Sequence, residues 1–118
     1  VDVRIRILLK IIEERGGVLP MSAKQVASLL GLGEARLLRL FHAEVGKTLR
    51  CHLRDVRMAH AATMLANDAL PIKAIAQHCG YSAVTNFYRD FKLVHRTSPV
   101  QMRIGQLQRK HLVTLRNH

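Results

Sequence analysis

At 118 residues the chain is long enough for one domain, or for two very small subdomains that share an element. Hydrophobic residues make up 48%, which excludes a disordered tail, and no apolar run reaches the eighteen or so residues that a membrane span needs. Nineteen Lys and Arg against eight Asp and Glu leave a formal charge of +11, and Asp90 is the last acid, so the expected partner is a polyanion.

The first stretch, VDVRIRILLKII, interleaves charge with apolar residues and has no small-residue cleavage site, so it reads as a helix rather than a signal peptide. A cytoplasmic protein with no membrane partner is expected. Apolar residues at 5, 8, 9 and 12 form a helical stripe over 3–15, closed by Gly16-Gly17. Ser22 offers an N-cap for a second helix over about 22–30, and Gly31 supplies a left-handed turn residue. A third helix is predicted over about 34–45, ended by Gly46.

Thr48 caps a long fourth helix running to about 66. Leu49, Leu53 and Val56 form one apolar stripe, and Met58, Ala61, Ala62 and Leu65 form another, rotated by about 200° at the step from 56 to 58. A helix that buries one face early and a different face later packs against two bodies, so this one reads as a linker. Asn67-Asp68 and Leu70-Pro71 break the chain before a fifth helix over about 72–79. Gly80 turns it, Ser82 is expected to cap a sixth helix reaching about 94, and Ser98-Pro99 opens a seventh with proline at the first position. A basic C-terminal extension follows over about 105–118. No alternating strand pattern occurs, so the fold class is all-α with seven helices.

The pattern repeats. KQVASLLGLGEARLLRLF (24–41) is answered by KAIAQHCGYSAVTNFYRDF (73–91). Gly31 and Gly80 stand 49 positions apart while Arg39 and Arg89 stand 50 apart, which adds one residue just after the second glycine. Each copy is a short helix, a tight glycine turn and a second helix, the helix-turn-helix arrangement, over about 22–45 and 72–94. Ala27 and Ala76 are the small residues that the helix crossing needs. Leu37, Leu40, Phe41 and Val45 face inward in the first copy, and Phe87, Phe91 and Val94 in the second.

The opposite faces carry Ala35, Leu38, Arg39 and His42 at i, i+3, i+4 and i+7, and correspondingly Thr85, Tyr88, Arg89 and Lys92, with Val84 one step earlier. An exposed helix face with arginine at its centre suits the major groove, where a guanidinium grips guanine O6 and N7. The plain alternative is the solvated side of an amphipathic helix, and a matching arginine in two aligned copies argues against it.

Cys51 and Cys79 form no CxxC pair, and no Cys/His cluster has ligand spacing, so neither a metal nor another cofactor is expected. No Ser/His/Asp set, carboxylate pair or phosphate loop supports catalysis, so the chain is not read as an enzyme. The competing classes are a basic helical RNA-binding module and a protein-interaction module. Two Tyr, three Phe and no Trp leave few aromatics for stacking on RNA bases, and an adaptor does not require +11.

Ile75-Ala76, Gly80-Tyr81, Phe87…Phe91-Lys92 and Ser98-Pro99, with Arg57-Met58 and Leu65 upstream and Leu37…Phe41 and Gly46 in the first copy, resemble the DNA-binding domain of the AraC/XylS family of bacterial transcription regulators. The resemblance covers about 5 to 104. It implies a homeodomain-like fold of two helix-turn-helix subdomains joined by the long helix, with the two recognition helices entering successive major grooves of double-stranded DNA. A helix over 48–66 is about 27–28 Å long, and a turn of DNA is about 34–36 Å, so one chain suits a bipartite site.

Carried over by position, the base-reading residues are Ala35, Leu38 and Arg39 in the first unit and Val84, Thr85, Tyr88 and Arg89 in the second. Phosphate contacts fall to Ser82, Asn86 and Lys92, and more loosely to Arg36, His42 and Lys47. Two positions depart from the family: Gly33 stands where the recognition helix usually has Ser or Asn as its cap, and Leu38 where a polar reader is common. The resemblance also implies RNA polymerase as partner if the regulator activates, and a separate N-terminal effector and dimerisation domain in a longer regulator.

Overall fold

The computed structural model describes residues 1–117 and contains seven α-helices among them, with no strand. Position 118, the last of the basic extension expected from the sequence, lies outside the described residues. The chain divides into two units, 1–57 and 58–118, and the boundary falls inside one helix.

In the first unit α1 spans Val3–Glu14, α2 Ala23–Leu29 and α3 Glu34–Val45. The 3.6-residue period of α1 lines up Ile5, Leu8 and Ile12, all fully buried, so this helix is held by its stripe. Ser22 caps α2 through a reciprocal box. Its Oγ accepts from the Gln25 backbone N–H at 3.2 Å, and the Gln25 side-chain oxygen accepts from the Ser22 N–H at 3.0 Å. Leu37 and Phe41 on α3 are fully buried beside Val26, Ala27 and Leu32. Truncating a buried phenylalanine such as Phe41 costs about 3–5 kcal/mol, a large fraction of what so small a unit has.

The fourth helix, α4, spans Leu49–Met64, with Thr48 Oγ1 accepting from the Cys51 N–H at 3.2 Å. Its early stripe, Leu49, Leu53 and Val56, packs in the first core, while Met58, Ala61 and Leu65 pack in the second. The change of apolar face read from the sequence thus coincides with the unit boundary.

In the second unit α5 spans Ile72–His78, α6 Val84–His95 and α7 Pro99–Arg116. Phe87 and Phe91 fill the centre, their rings tilted against one another at 5.7 Å between centroids and surrounded by Met58, Leu65, Ile75, Ala76 and Cys79. Cys79 is thus a small apolar core residue, and neither Cys51 nor Cys79 is in a disulfide. His95 closes the cluster, its ring 4.5 Å from that of Phe91 and its Nε2 2.9 Å from the Met58 carbonyl oxygen.

Arg103 on α7 donates to the carbonyls of Leu65, Asn67 and Leu70 at 3.1, 3.2 and 2.7 Å. These carbonyls lie at and just beyond the end of α4, where the backbone has run out of helical partners. Residues 105–116 continue α7 without a break, so what reads as a basic extension is the distal two thirds of that helix.

One cap expected from the sequence is corrected. Ser82 does not cap α6; the N-cap is Ala83, which makes no side-chain cap bond. The reason lies in the turn. Gly31 and Gly80 both adopt left-handed φ, 73° and 88°, and the N–H groups of Leu32 and Tyr81 return to Ala27 and Ala76 at 2.8 and 3.0 Å. After that shared geometry the first copy has only Gly33 before its helix, whereas the second has both Ser82 and Ala83. The extra residue is absorbed in the turn, which pushes Ser82 out of the cap position.

Candidate nucleic-acid interface

Each unit holds its second helix the same way. Burial of Leu37 and Phe41 fixes the rotation of α3, and burial of Phe87 and Phe91 fixes that of α6. Because side chains advance about 100° per residue, the face opposite these anchors is left to solvent. On α3 this exposed set is Ala35, Leu38, Arg39 and His42, with Leu38 40% exposed despite its apolar character. Arg36 is exposed as well. On α6 it is Thr85, Tyr88, Arg89 and Lys92, joined by Asn86 and, in the preceding turn, Ser82. Within each unit the structure therefore brings the expected reading residues onto one accessible helix face.

Two expected residues sit differently. Val84 is half-buried and packs on the second core, so part of its side chain is withdrawn from the face. Lys47 is not a free cation: its Nζ lies 3.0 Å from Asp55 Oδ2, and Arg54 donates to the other oxygen of the same carboxylate at 3.1 Å. Burial alone would raise the Asp55 carboxyl, but the hydrogen bonds from Lys47 and Arg54 outweigh it and leave its pKa below the usual 3.8.

The structure adds residues that pattern reading passed over. Asp90 accepts from the Tyr81 hydroxyl at 2.6 Å through Oδ2 and from Arg89 Nε at a long 3.4 Å through Oδ1. The Arg89 side chain is still 69% exposed. A contact through Nε leaves the two terminal nitrogens of the guanidinium for a bidentate acceptor, so Asp90 orients this arginine without covering it. Neighbouring residues on a helix do not ordinarily face each other, and only the tyrosine in the preceding turn shows why Asp90 is held there. The helices α3 and α6 also start differently. Neither Gly33 nor Ala83 supplies a capping side chain, but Glu34 lies in the first turn of α3, whereas α6 has no acid there. A negative charge at that end stabilises the helix and weakens its attraction for phosphate.

A profile of helix-turn-helix domains matches residues 26–104. The xylose operon regulatory protein of Escherichia coli is 32% identical over 79 residues, which is 67% of this chain and 20% of that protein. The chain therefore spans about a fifth of the length of that curated relative. Among solved structures, the C-terminal domain of AraT, a response regulator from Geobacillus stearothermophilus, superposes with a TM-score of 0.78 at 28% identity, covering 86% of this chain and 84% of that one. A transcriptional regulator of the AraC-type DNA-binding-domain group from Chromobacterium violaceum shares the fold with a TM-score of 0.79 at 20% identity, over 91% and 95% of the two chains. With two matching helix-turn-helix units, each anchored by paired aromatic or aliphatic residues and each presenting a cationic helix face, this chain belongs to the AraC/XylS-type helix-turn-helix family of DNA-binding transcription regulators.

Proposed function

We propose that this domain reads a bipartite site in double-stranded DNA, one half through α3 and the other through α6, as the DNA-binding part of a bacterial transcription regulator that carries no catalytic activity of its own. The observation that carries the reading is the pair of exposed helix faces centred on Arg39 and Arg89, each backed by a fully buried anchor pair, on a chain of charge +11. In this reading Arg39 and Arg89 grip guanine edges, Ala35, Leu38 and Val84 offer apolar contact, and Thr85 and Tyr88 hydrogen-bond to base edges. Ser82, Asn86 and Lys92 position the second helix on phosphates, as Arg36 and His42 do for the first. RNA polymerase is the protein partner if the regulator activates, and the cytoplasm is where both DNA and polymerase are met. Among the described residues no helix is long and apolar enough to cross a membrane.

The test is to select preferred duplexes from a random pool and titrate the winner against salt. Neutralising about six phosphates gives log K a slope of about −5 against log salt. A duplex affinity that stays flat from low to physiological salt ends the DNA reading, and displacement of the duplex by single-stranded RNA at equal concentration would favour an RNA-binding module instead.

A further inference from the structure

The exposed face of α3 continues past His42 into a shallow groove. Leu38, Arg39 and His42 form one wall, and Thr48, Leu49 and Arg50 at the start of α4 form the other, around a volume of about 330 Å³. The floor is apolar, with Leu49 almost fully buried, while Arg39, His42, Thr48 and Arg50 are exposed along the rim. None of the lining residues is acidic.

The charges near this end of α4 are not equivalent. Lys47 and Arg54 share one carboxylate, that of Asp55. Arg50, between them in sequence, is exposed and makes no ion pair among the described residues. A cation already paired with a carboxylate has less to gain from a phosphate, because the counterion it would displace is part of the protein. Arg50 has no such competitor.

We propose that this groove seats the sugar–phosphate backbone of duplex DNA beside the half-site read by α3, with Arg50 as the phosphate-gripping residue in place of Lys47. Thr48 supports the same contact. Its Oγ1 already accepts from the Cys51 N–H, which leaves the hydroxyl proton for a phosphate oxygen. Deoxyribose carbons rest on the apolar floor. The charge complementarity is specific to a polyanion that already lies along Arg39 and His42, so the inference rests on the DNA reading above and extends its footprint onto α4.

The experiment uses the full chain, a duplex carrying the preferred site, and a series of duplexes in which one phosphate at a time is a neutral methylphosphonate. Arg50→Gln should lower the salt slope by about 0.9, which is about an eightfold loss at 0.1 M salt if the curves converge near 1 M, with base preferences unchanged. Lys47→Gln should lose less than half as much. One methylphosphonate position next to the first half-site should weaken the wild type and leave Arg50→Gln no weaker than it already is. The proposal is overturned if Arg50→Gln keeps the wild-type slope, if Lys47→Gln loses as much as Arg50→Gln, or if every methylphosphonate weakens both proteins equally. A wild-type affinity that ignores salt would instead bring down the DNA reading itself, and this assignment with it.

Discussion

Gly17 lies where the turn after α1 meets the flank of α4. Its φ is +83°, and a Cβ placed on it comes 2.6 Å from the Leu53 carbonyl oxygen, 2.7 Å from the Arg57 nitrogen and 2.8 Å from Arg57 Cγ. Two of those three atoms are helical backbone, so no rotamer change relieves the overlap. Gly17→Ala therefore carries two costs: a left-handed backbone that an L side chain disfavours, about 1–2 kcal/mol, and a forced displacement of packed structure, about 1–3 kcal/mol. The displacement also stretches the bond that Arg57 Nη1 donates to the Gly17 carbonyl, already 3.3 Å long. Gly31 and Gly46 are the controls, at φ +73° and +88° with nothing within 4 Å of an added Cβ. Alanine at either carries only the first cost. Urea unfolding followed by far-ultraviolet circular dichroism separates the cases. With a slope of about 1–3 kcal/mol per molar urea, Gly17→Ala should lower the midpoint by about 2 M and each control by less than about 1 M. Equal midpoints for the three variants would show that the close approach to α4 is not what requires glycine at 17.

Three other outcomes are expected. Arg89→Ala should lose about 1–3 kcal/mol on the preferred site and relax base preference in one half-site only, whereas Lys92→Ala should weaken all duplexes alike; identical specificity profiles would refute the assignment of the α6 face. Uracil in place of thymine should weaken binding through the half-site read by α3 by about 0.8 kcal/mol, the worth of one buried methyl group. That loss should vanish in Leu38→Ala, whose wild-type side chain is 40% exposed on that face, and a loss that persists in the variant excludes Leu38 as the methyl's partner. Burial, and then the nearby Lys47 charge, depress the His52 pKa below 6.5 as its ring packs on Phe41 at 5.6 Å with Nδ1 enclosed and unbonded. The neutral ring is thus the form that the fold prefers. The contribution of His52 is fully present above about 6.5 and is lost as pH falls through the depressed folded value. Unfolding free energies measured from pH 8 downward should fall less steeply for His52→Gln, and parallel curves would exclude His52 as the titrating group.

Much of the fold is written locally and was legible residue by residue. Ser22, Gly46, and Ser98 with Pro99 mark helix ends because a cap is made by residues at most three positions apart. The inward stripes of α1, α3 and α6 follow from helical periodicity alone, and the change of apolar face within α4 marks two cores. The sequence by itself also determined which helix faces stay exposed, since burying Phe41 and Phe91 leaves the rotation of their helices no choice.

What required the tertiary structure is which charges on those faces remain available. Asp55 takes Lys47 across eight residues and a helix start, and Asp90 takes Tyr81 across nine residues and the start of α6. No periodicity predicts either pair, because each depends on how a turn folds back onto the helix that follows it. The same holds for the start of α6, displaced by one inserted residue, and for the groove that adds Arg50 to the face of α3. A sequence pattern specifies which side chains point outward. Ion pairing is decided by distances of 3 to 4 Å between residues on different elements, and only the packed chain sets those distances.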